Sequence, residues 1–220
     1  GYAGTGKTTL ARYFAEHVDG EVLFAAFTGK AAQVLRARGA TNARTIHSLI
    51  YRPRGEEAIS DEETGKTTVS PMFAINRQSP LAQAALIIID ECSMVDEELG
   101  RDLLSFGTPV LVLGDPAQLP PVKGGGFFTE AEPDVMLTEV HRQAADNPII
   151  QLSMAVREGG FLEHGRYGES VVVGRDQVDR DAVLEADQVL VGRNKTRLTY
   201  NDRLRELKGL PFHEPVVGDR

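Results

Sequence analysis

The sequence predicts an α/β protein, a parallel sheet flanked by helices with its ligand-binding loops gathered at one edge. Three observations carry this. The first eight residues, Gly1-Tyr2-Ala3-Gly4-Thr5-Gly6-Lys7-Thr8, spell G-x-x-x-x-G-K-S/T and run into a helical pattern. Residues 22–27 and 86–89 are apolar throughout, as strands buried on both faces are. The first of these runs leads through a polar turn into a second helical pattern, the grammar of a βαβ unit.

The opening pattern is a phosphate-cradling loop. Gly4 and Gly6 let the backbone turn successive N–H groups inward, with no side chain in the way. Lys7 supplies a point charge for β- and γ-phosphates, and the Thr8 hydroxyl is placed to ligate Mg²⁺. A helix starting here adds its dipole to the anion site. Such a loop normally follows a buried strand, whereas this chain opens on its first glycine, so the expectation is a piece of a longer protein.

Leu10, Phe14 and Val18, four residues apart, predict an amphipathic helix over 9–18, closed by Asp19-Gly20. Residues 22–27 predict a buried parallel strand. Thr28-Gly29-Lys30 then opens a helix that stops near Gly39. Thr28 and Lys30 fall at the strand's C-terminal end, the edge where open α/β sheets bind ligands. By itself, Lys30 reads as a solvated lysine at a helix start. Residues 45–51 form a short mixed segment in which a lone His47 reads as a structural hydrogen-bonder.

Composition shifts over 52–80, with acidic clusters at Glu56-Glu57 and Asp61-Glu62-Glu63. Thr67-Thr68-Val69 favours strand and Gly65 suits a turn, so the segment reads equally as a two-stranded excursion or a disordered loop. Leu86-Ile87-Ile88-Ile89 is the clearest buried strand, and it ends in Asp90-Glu91, a Walker B arrangement. Asp90 then reaches the metal through its shell, and Glu91 orients or deprotonates water. Cys92, directly after these acids, reads as a packing residue. A helix over 96–105 leads to a strand at 110–113 and a proline-stiffened turn, Gly114-Asp115-Pro116-Ala117-Gln118, which carries Gln118 towards a γ-phosphate. Further on, Asn147-Pro148 signals a helix to Arg157, residues 171–173 and 189–191 read as strands, and Asn194 as the cap of a helix to Lys208.

The bulk figures narrow the classes. Hydrophobic content of 41% and charged content of 25% over 220 residues suit an ordinary globular chain of one or two domains. A net charge of −8 gives no global basic field, which leaves room only for a narrow basic track if nucleic acid is bound. One cysteine excludes an intrachain disulfide and fits a reducing compartment. No apolar run approaches the roughly 18 residues of a membrane span, so no membrane partner is expected.

Six segments in order, GYAGTGKTT, FTGKAA, TIHSLIY, IIIDECSMV, GDPAQLPPV and LTEVHRQ, resemble the motifs of superfamily 1 helicases. The likeness is closest to the RecD-like, 5′-to-3′ translocating branch, which includes phage accessory helicases, and residues 191–203 also resemble it. The resemblance implies a P-loop NTPase with a RecA-like first domain over 1–133, a small pin-like insertion at 52–80, and the truncated start of a second RecA-like domain over 134–220. It implies ATP held by Gly1, Gly4, Thr5, Gly6, Lys7, Thr8, Thr9 and Asp90, with Mg²⁺ on Thr8 and Asp90. Glu91 is then the catalytic base, Gln118 the γ-phosphate sensor and Arg142 an arginine finger from the second domain; by itself Arg142 reads as a surface arginine.

Thr28, Lys30 and His47 are implied to line a single-stranded DNA track. Phe73 either stacks on a base at the fork or anchors the insertion to the core. The activity implied is ATP-driven unwinding, with single-stranded DNA and fork duplex as partners beside replication or recombination proteins. The implied location is the cytoplasm of a bacterial or phage-infected cell. The alternatives are the helicase domain of an exonuclease RecD subunit or of a conjugative relaxase, and a non-translocating loader ATPase. The last needs neither the Gln118 turn nor the Arg142 segment. The family's later motifs and its SH3-like insertion have no match here.

Overall fold

Four parallel strands make the central sheet of the computed structural model, which describes residues 1–2, 4–60, 67–122, 124–139, 147–211, 214 and 216–217. They are β1 (Val22–Ala26), β2 (Arg44–Thr45), β5 (Leu86–Asp90) and β6 (Val110–Val112), in the order β2-β1-β5-β6. β1 and β5 run in register from Val22↔Leu86 to Ala26↔Asp90. Because side chains alternate along a strand, the apolar runs supply two cores at once. Leu23, Ala25, Ile87 and Ile89 face one side; Phe24, Ala26 and Ile88 face the other.

The helices cover those faces. On one side lie Ala11 of α1 (Lys7–Ala15) and Ala32 and Leu35 of α2 (Gly29–Ala37). On the other lie Ile46, Leu49 and Ile50 of α3 (Ile46–Ile50), with Leu99 and Leu103 of α4 (Glu97–Leu104). Each boundary has a local cause. Thr28 Oγ1 accepts the Ala31 N–H at 3.2 Å, Thr45 Oγ1 accepts Ser48 N–H at 3.2 Å, and Asp96 Oδ1 accepts Leu99 N–H at 2.9 Å. One expectation needs correction. α1 starts two residues earlier than the apolar spacing indicates, and Leu10 and Phe14 are exposed while small Ala11 is its buried residue. The loop winds directly into the helix, and the sheet accepts a methyl group at that approach.

Of the two readings of the inserted segment, the structure has the two-stranded one. β3 (Tyr51–Ser60) and β4 (Thr67–Ile75) form an antiparallel ladder from Tyr51↔Ile75 to Ser60↔Thr67, with a register shift between Pro53 and Gly55. Gly65, the expected turn residue, lies outside the described residues. The hairpin's root is tied to α4. The Tyr51 hydroxyl donates to Asp102 Oδ2 at 2.6 Å, and Arg77 Nη1 donates to the Ser105 carbonyl at 3.0 Å. The Arg77 guanidinium also sits 5.5 Å from the centre of the Phe106 ring. Burial first, and then the bond to Asp102, pushes the Tyr51 phenol well above its ordinary pKa.

The chain divides into two compact units, Gly1–Gln151 and Leu152–Arg220. α5 (Pro148–Arg157) begins at the expected proline, with Asn147 Oδ1 accepting Ile149 N–H at 2.9 Å. The later unit has an antiparallel pair, β7 (Gly165–Tyr167) and β8 (Ser170–Val172), then α6 (Arg180–Glu185) and α7 (Asn194–Leu207). Among its described residues no hydrophobic side chain is fully buried. Two expectations fail here. Residues 189–191 are irregular, because no described strand is there to complete a ladder. Asn194 is the first residue of α7, and Arg193 holds the cap position. Among the described residues no helix is long and apolar enough to cross a membrane.

Tyr51→Phe should lower the unfolding free energy by roughly 1–2 kcal/mol, because both partners of the lost bond are half-buried. Urea denaturation measures this, and a midpoint equal to wild type would show that the hairpin root does not depend on the Asp102 bond.

Candidate nucleotide-binding site

All four sheet strands are parallel, so the loops that leave their C-terminal ends share one edge. The opening loop joins them there. Gly4 and Gly6 adopt φ of 77° and 80°, a region that side chains other than glycine rarely enter, and Gly6 caps α1. The Lys7 ammonium is folded back onto the loop and donates to the Gly1 and Tyr2 carbonyls, each at 2.8 Å. Gly1 N donates to the Gly114 carbonyl at 2.9 Å, and Tyr2 N to the Leu137 carbonyl at 2.8 Å. The loop is thereby tied to the turn that follows β6.

Between the loop and β5 lies an open cleft of about 570 Å³. Gly4, Thr5, Gly6, Lys7, Thr8 and Thr9 line one wall, and Asp90, Glu91 and Gln118 line another. Thr8 Oγ1 donates to Asp90 Oδ2 at 2.9 Å. A hydroxyl and a carboxylate oxygen meeting beside a phosphate loop form a hard, all-oxygen donor set that fits Mg²⁺. Among the described residues no cluster of three or more His, Cys, Asp or Glu is positioned to hold a metal.

Glu91 is the one non-glycine residue with positive φ, 56°, among the described residues. Such a conformation costs of order 1 kcal/mol and aims the side chain into the cleft. The Gln118 side chain lines the same cleft beside it. Partial burial, followed by the neighbouring Asp90 charge, raises the Glu91 pKa, while Gln118 and Lys7 oppose the shift. Although its surface opens on the cleft, protein surrounds its other sides. A carboxylate with raised pKa beside a phosphate loop is suited to taking a proton from water.

Two neighbours hold this geometry, and only one of them was read from the sequence. Cys92 is buried, and desolvation pushes its thiol up to about 11, in keeping with a packing role. A Cβ on Gly114 would come within 2.5 Å of its sulfur, so that glycine lets the Gln118 turn close on β5. Asp115 was missed. It is buried and caps its own turn, Oδ1 accepting Ala117 N–H at 3.1 Å. The Asp-Pro pair was the available signal. Arg12 and Arg38, also missed, line the same cleft.

The residues expected at a DNA track lie along the same sheet edge. The Thr28 hydroxyl caps α2 and Lys30 is exposed. His47 is exposed and packs between Phe27, at 6.0 Å edge-on, and Tyr51, at 5.6 Å. Tyr51 in turn meets the exposed Phe73 ring at 6.5 Å, so a row of four rings joins the end of β1 to the hairpin. Arg142 lies outside the described residues.

With this geometry in view, the comparisons are specific. The AAA domain family matches residues 1–171. The fold is a P-loop, RecA-like nucleotide-binding fold, and the chain belongs to the AAA domain family. Among relatives, it is 37% identical over 169 residues to the ATP-dependent RecD2 DNA helicase of Deinococcus radiodurans, covering 72% of this chain and 21% of that protein. It is 33% identical over 174 residues to the ATP-dependent DNA helicase dda of Enterobacteria phage T4, covering 72% and 37%. A crystal structure of Bacteroides sp Pif1 in complex with ADP-AlF4 matches at 30% identity over 56% of this chain and 28% of that one, with a TM-score of 0.36. The chain thus spans 21% to 37% of the lengths of these curated relatives.

Because Glu91 binds its proton more tightly in the fold than in the unfolded chain, its ionisation costs stability. That cost is absent below the ordinary glutamate range and fully present above the raised value. Glu91→Gln should therefore raise the melting temperature near neutral pH and have no such effect in acid. A variant that melts lower than wild type near neutral pH would contradict this.

Proposed function

We propose that this chain is the ATP-hydrolysing part of a DNA helicase that translocates 5′-to-3′ on single-stranded DNA. One observation carries the reading: Lys7, the Thr8–Asp90 pair and the Glu91–Gln118 pair converge on a single cleft. Magnesium bound there would supply charge neutralisation on the phosphates. The protein's own part is explicit. The loop N–H groups and Lys7 hold the phosphate chain, with Gly1, Gly4, Thr5, Gly6 and Thr9 forming its cradle. Thr8 and Asp90 hold the metal. Glu91 accepts the proton of the attacking water, and Gln118, beside it on the cleft, reports the state of the γ-phosphate.

In this reading residues 1–133 are the first RecA-like domain and 134–220 the start of a second, which brings Arg142 to the phosphate as an arginine finger. Closure of the cleft and hydrolysis are then coupled. Thr28, Lys30 and His47 hold the DNA backbone without reading sequence, and the hairpin within 52–80 separates strands at the fork. The names of the RecD2 and dda relatives, both ATP-dependent DNA helicases, support this reading. Replication or recombination proteins are the expected partners, in the cytoplasm.

Turnover of ATP by the full-length protein should rise several-fold with single-stranded DNA and be lost in Lys7→Ala without loss of fold. Unchanged turnover in Lys7→Ala would remove the phosphate-loop assignment. Turnover that ignores single-stranded DNA would favour the loader ATPase. Phe73→Ala should reduce strand separation far more than DNA-stimulated turnover; equal losses would make Phe73 an anchor of the hairpin.

A further inference from the structure

We propose that Arg12 and Arg38 form a second anion subsite in the cleft, one that takes the α-phosphate and ribose end of the nucleotide. The proposal rests on the nucleotide reading of the cleft given above. The residues already assigned serve the metal and the outer phosphates, at the start of α1. Arg12 lies five residues past Lys7, about 7.5 Å further along the helix. It follows Thr9 by three residues and Thr8 by four, which puts all three on one helical face, and all three line the cleft. Arg12 therefore continues the cradle in the direction leading away from Glu91 and Gln118.

Arg38 approaches from the other element, at the end of α2. Between the two arginines stands Gly39, with φ of 100°. A Cβ there would lie 3.0 Å from Arg12 Nη2 and 3.2 Å from its Cζ, so the guanidinium rests against bare backbone. Arg12 is half-buried in this position. Among the described residues neither guanidinium has an ion pair or a side-chain hydrogen bond, and Asp90, the buried acid of the cleft, is bonded to Thr8.

Two cations facing one cleft, neither of them paired with a carboxylate among the described residues, repel each other until an anion enters. The guanidinium fork, with donors only, matches the paired oxygens of a phosphate and an adjacent sugar hydroxyl. Lys7 is a point charge by comparison, so the two ends of the ligand are recognised by different chemistry.

The test is calorimetric titration of the whole chain with Mg-ADP and, separately, with Mg-pyrophosphate, which has no sugar and only enough phosphate to fill the outer positions at Lys7. Arg12→Gln and Arg38→Gln should each weaken ADP binding about tenfold while changing pyrophosphate binding less than about threefold. Arg12→Lys should fall between wild type and Arg12→Gln for ADP, because it keeps the charge and loses the fork. It also covers the case in which circular dichroism shows Arg12→Gln to be unfolded. ADP affinity unchanged in folded Arg12 variants, or pyrophosphate weakened as much as ADP, would overturn the subsite. If the wild-type chain binds neither ligand, or Lys7→Ala binds both normally, the nucleotide reading itself fails.

Discussion

The hydrogen bond from Thr8 to Asp90 joins the start of the first helix to the end of the most buried strand, and the site's layout depends on that junction. Asp90 is fixed because Ile87, Ile88 and Ile89 bury β5 on both faces, which leaves its end nowhere to drift. Thr8 is fixed because Gly6 starts α1 in a left-handed turn and Ala11 packs that helix on the sheet. The two oxygens meet because a parallel sheet delivers its loops to one edge. From that point Glu91 projects into the cleft, at the cost of an unfavourable backbone conformation, and Gln118 closes on it through a turn that Gly114, Cys92 and Asp115 hold in place.

The hairpin shows a comparable economy of attachment. Its root is held by Tyr51 on Asp102 and by Arg77 on Ser105 and Phe106, all on α4 or directly after it. α4 itself follows closely on Asp90 and Glu91. The row of rings from Phe27 through His47 and Tyr51 to Phe73 ties the same root to the end of β1. The strand ends that form the cleft and the root of the hairpin thus belong to one packed body. A change in the cleft can therefore be felt at the root of the hairpin.

Much of this was legible in the sequence for identifiable reasons. The apolar run at 86–89 had no polar interruption, so it had to be buried on both sides, and the loop's glycines left little choice of backbone. Gln118 was singled out by its prolines, and it lines the same cleft as Glu91. The helix faces were harder to read. Leu10 and Phe14 have ideal spacing for a buried stripe, yet small Ala11 is what the sheet accepts, because the distance between layers is a tertiary quantity. Arg12 and Arg38 were unreadable for a similar reason. They sit on separate helices, and only the Gly39 contact reveals that they share a cleft. Residues 189–191 had strand composition without a partner, and composition cannot supply one.

The proposed coupling of ATP turnover in this cleft to directional movement along DNA is read out by strand displacement with the full-length protein. Duplexes carrying either a 5′ or a 3′ single-stranded tail are compared, with and without ATP. Displacement is expected from the 5′-tailed duplex only, and only with ATP. Displacement from the 3′-tailed duplex, or from either duplex without ATP, would contradict it.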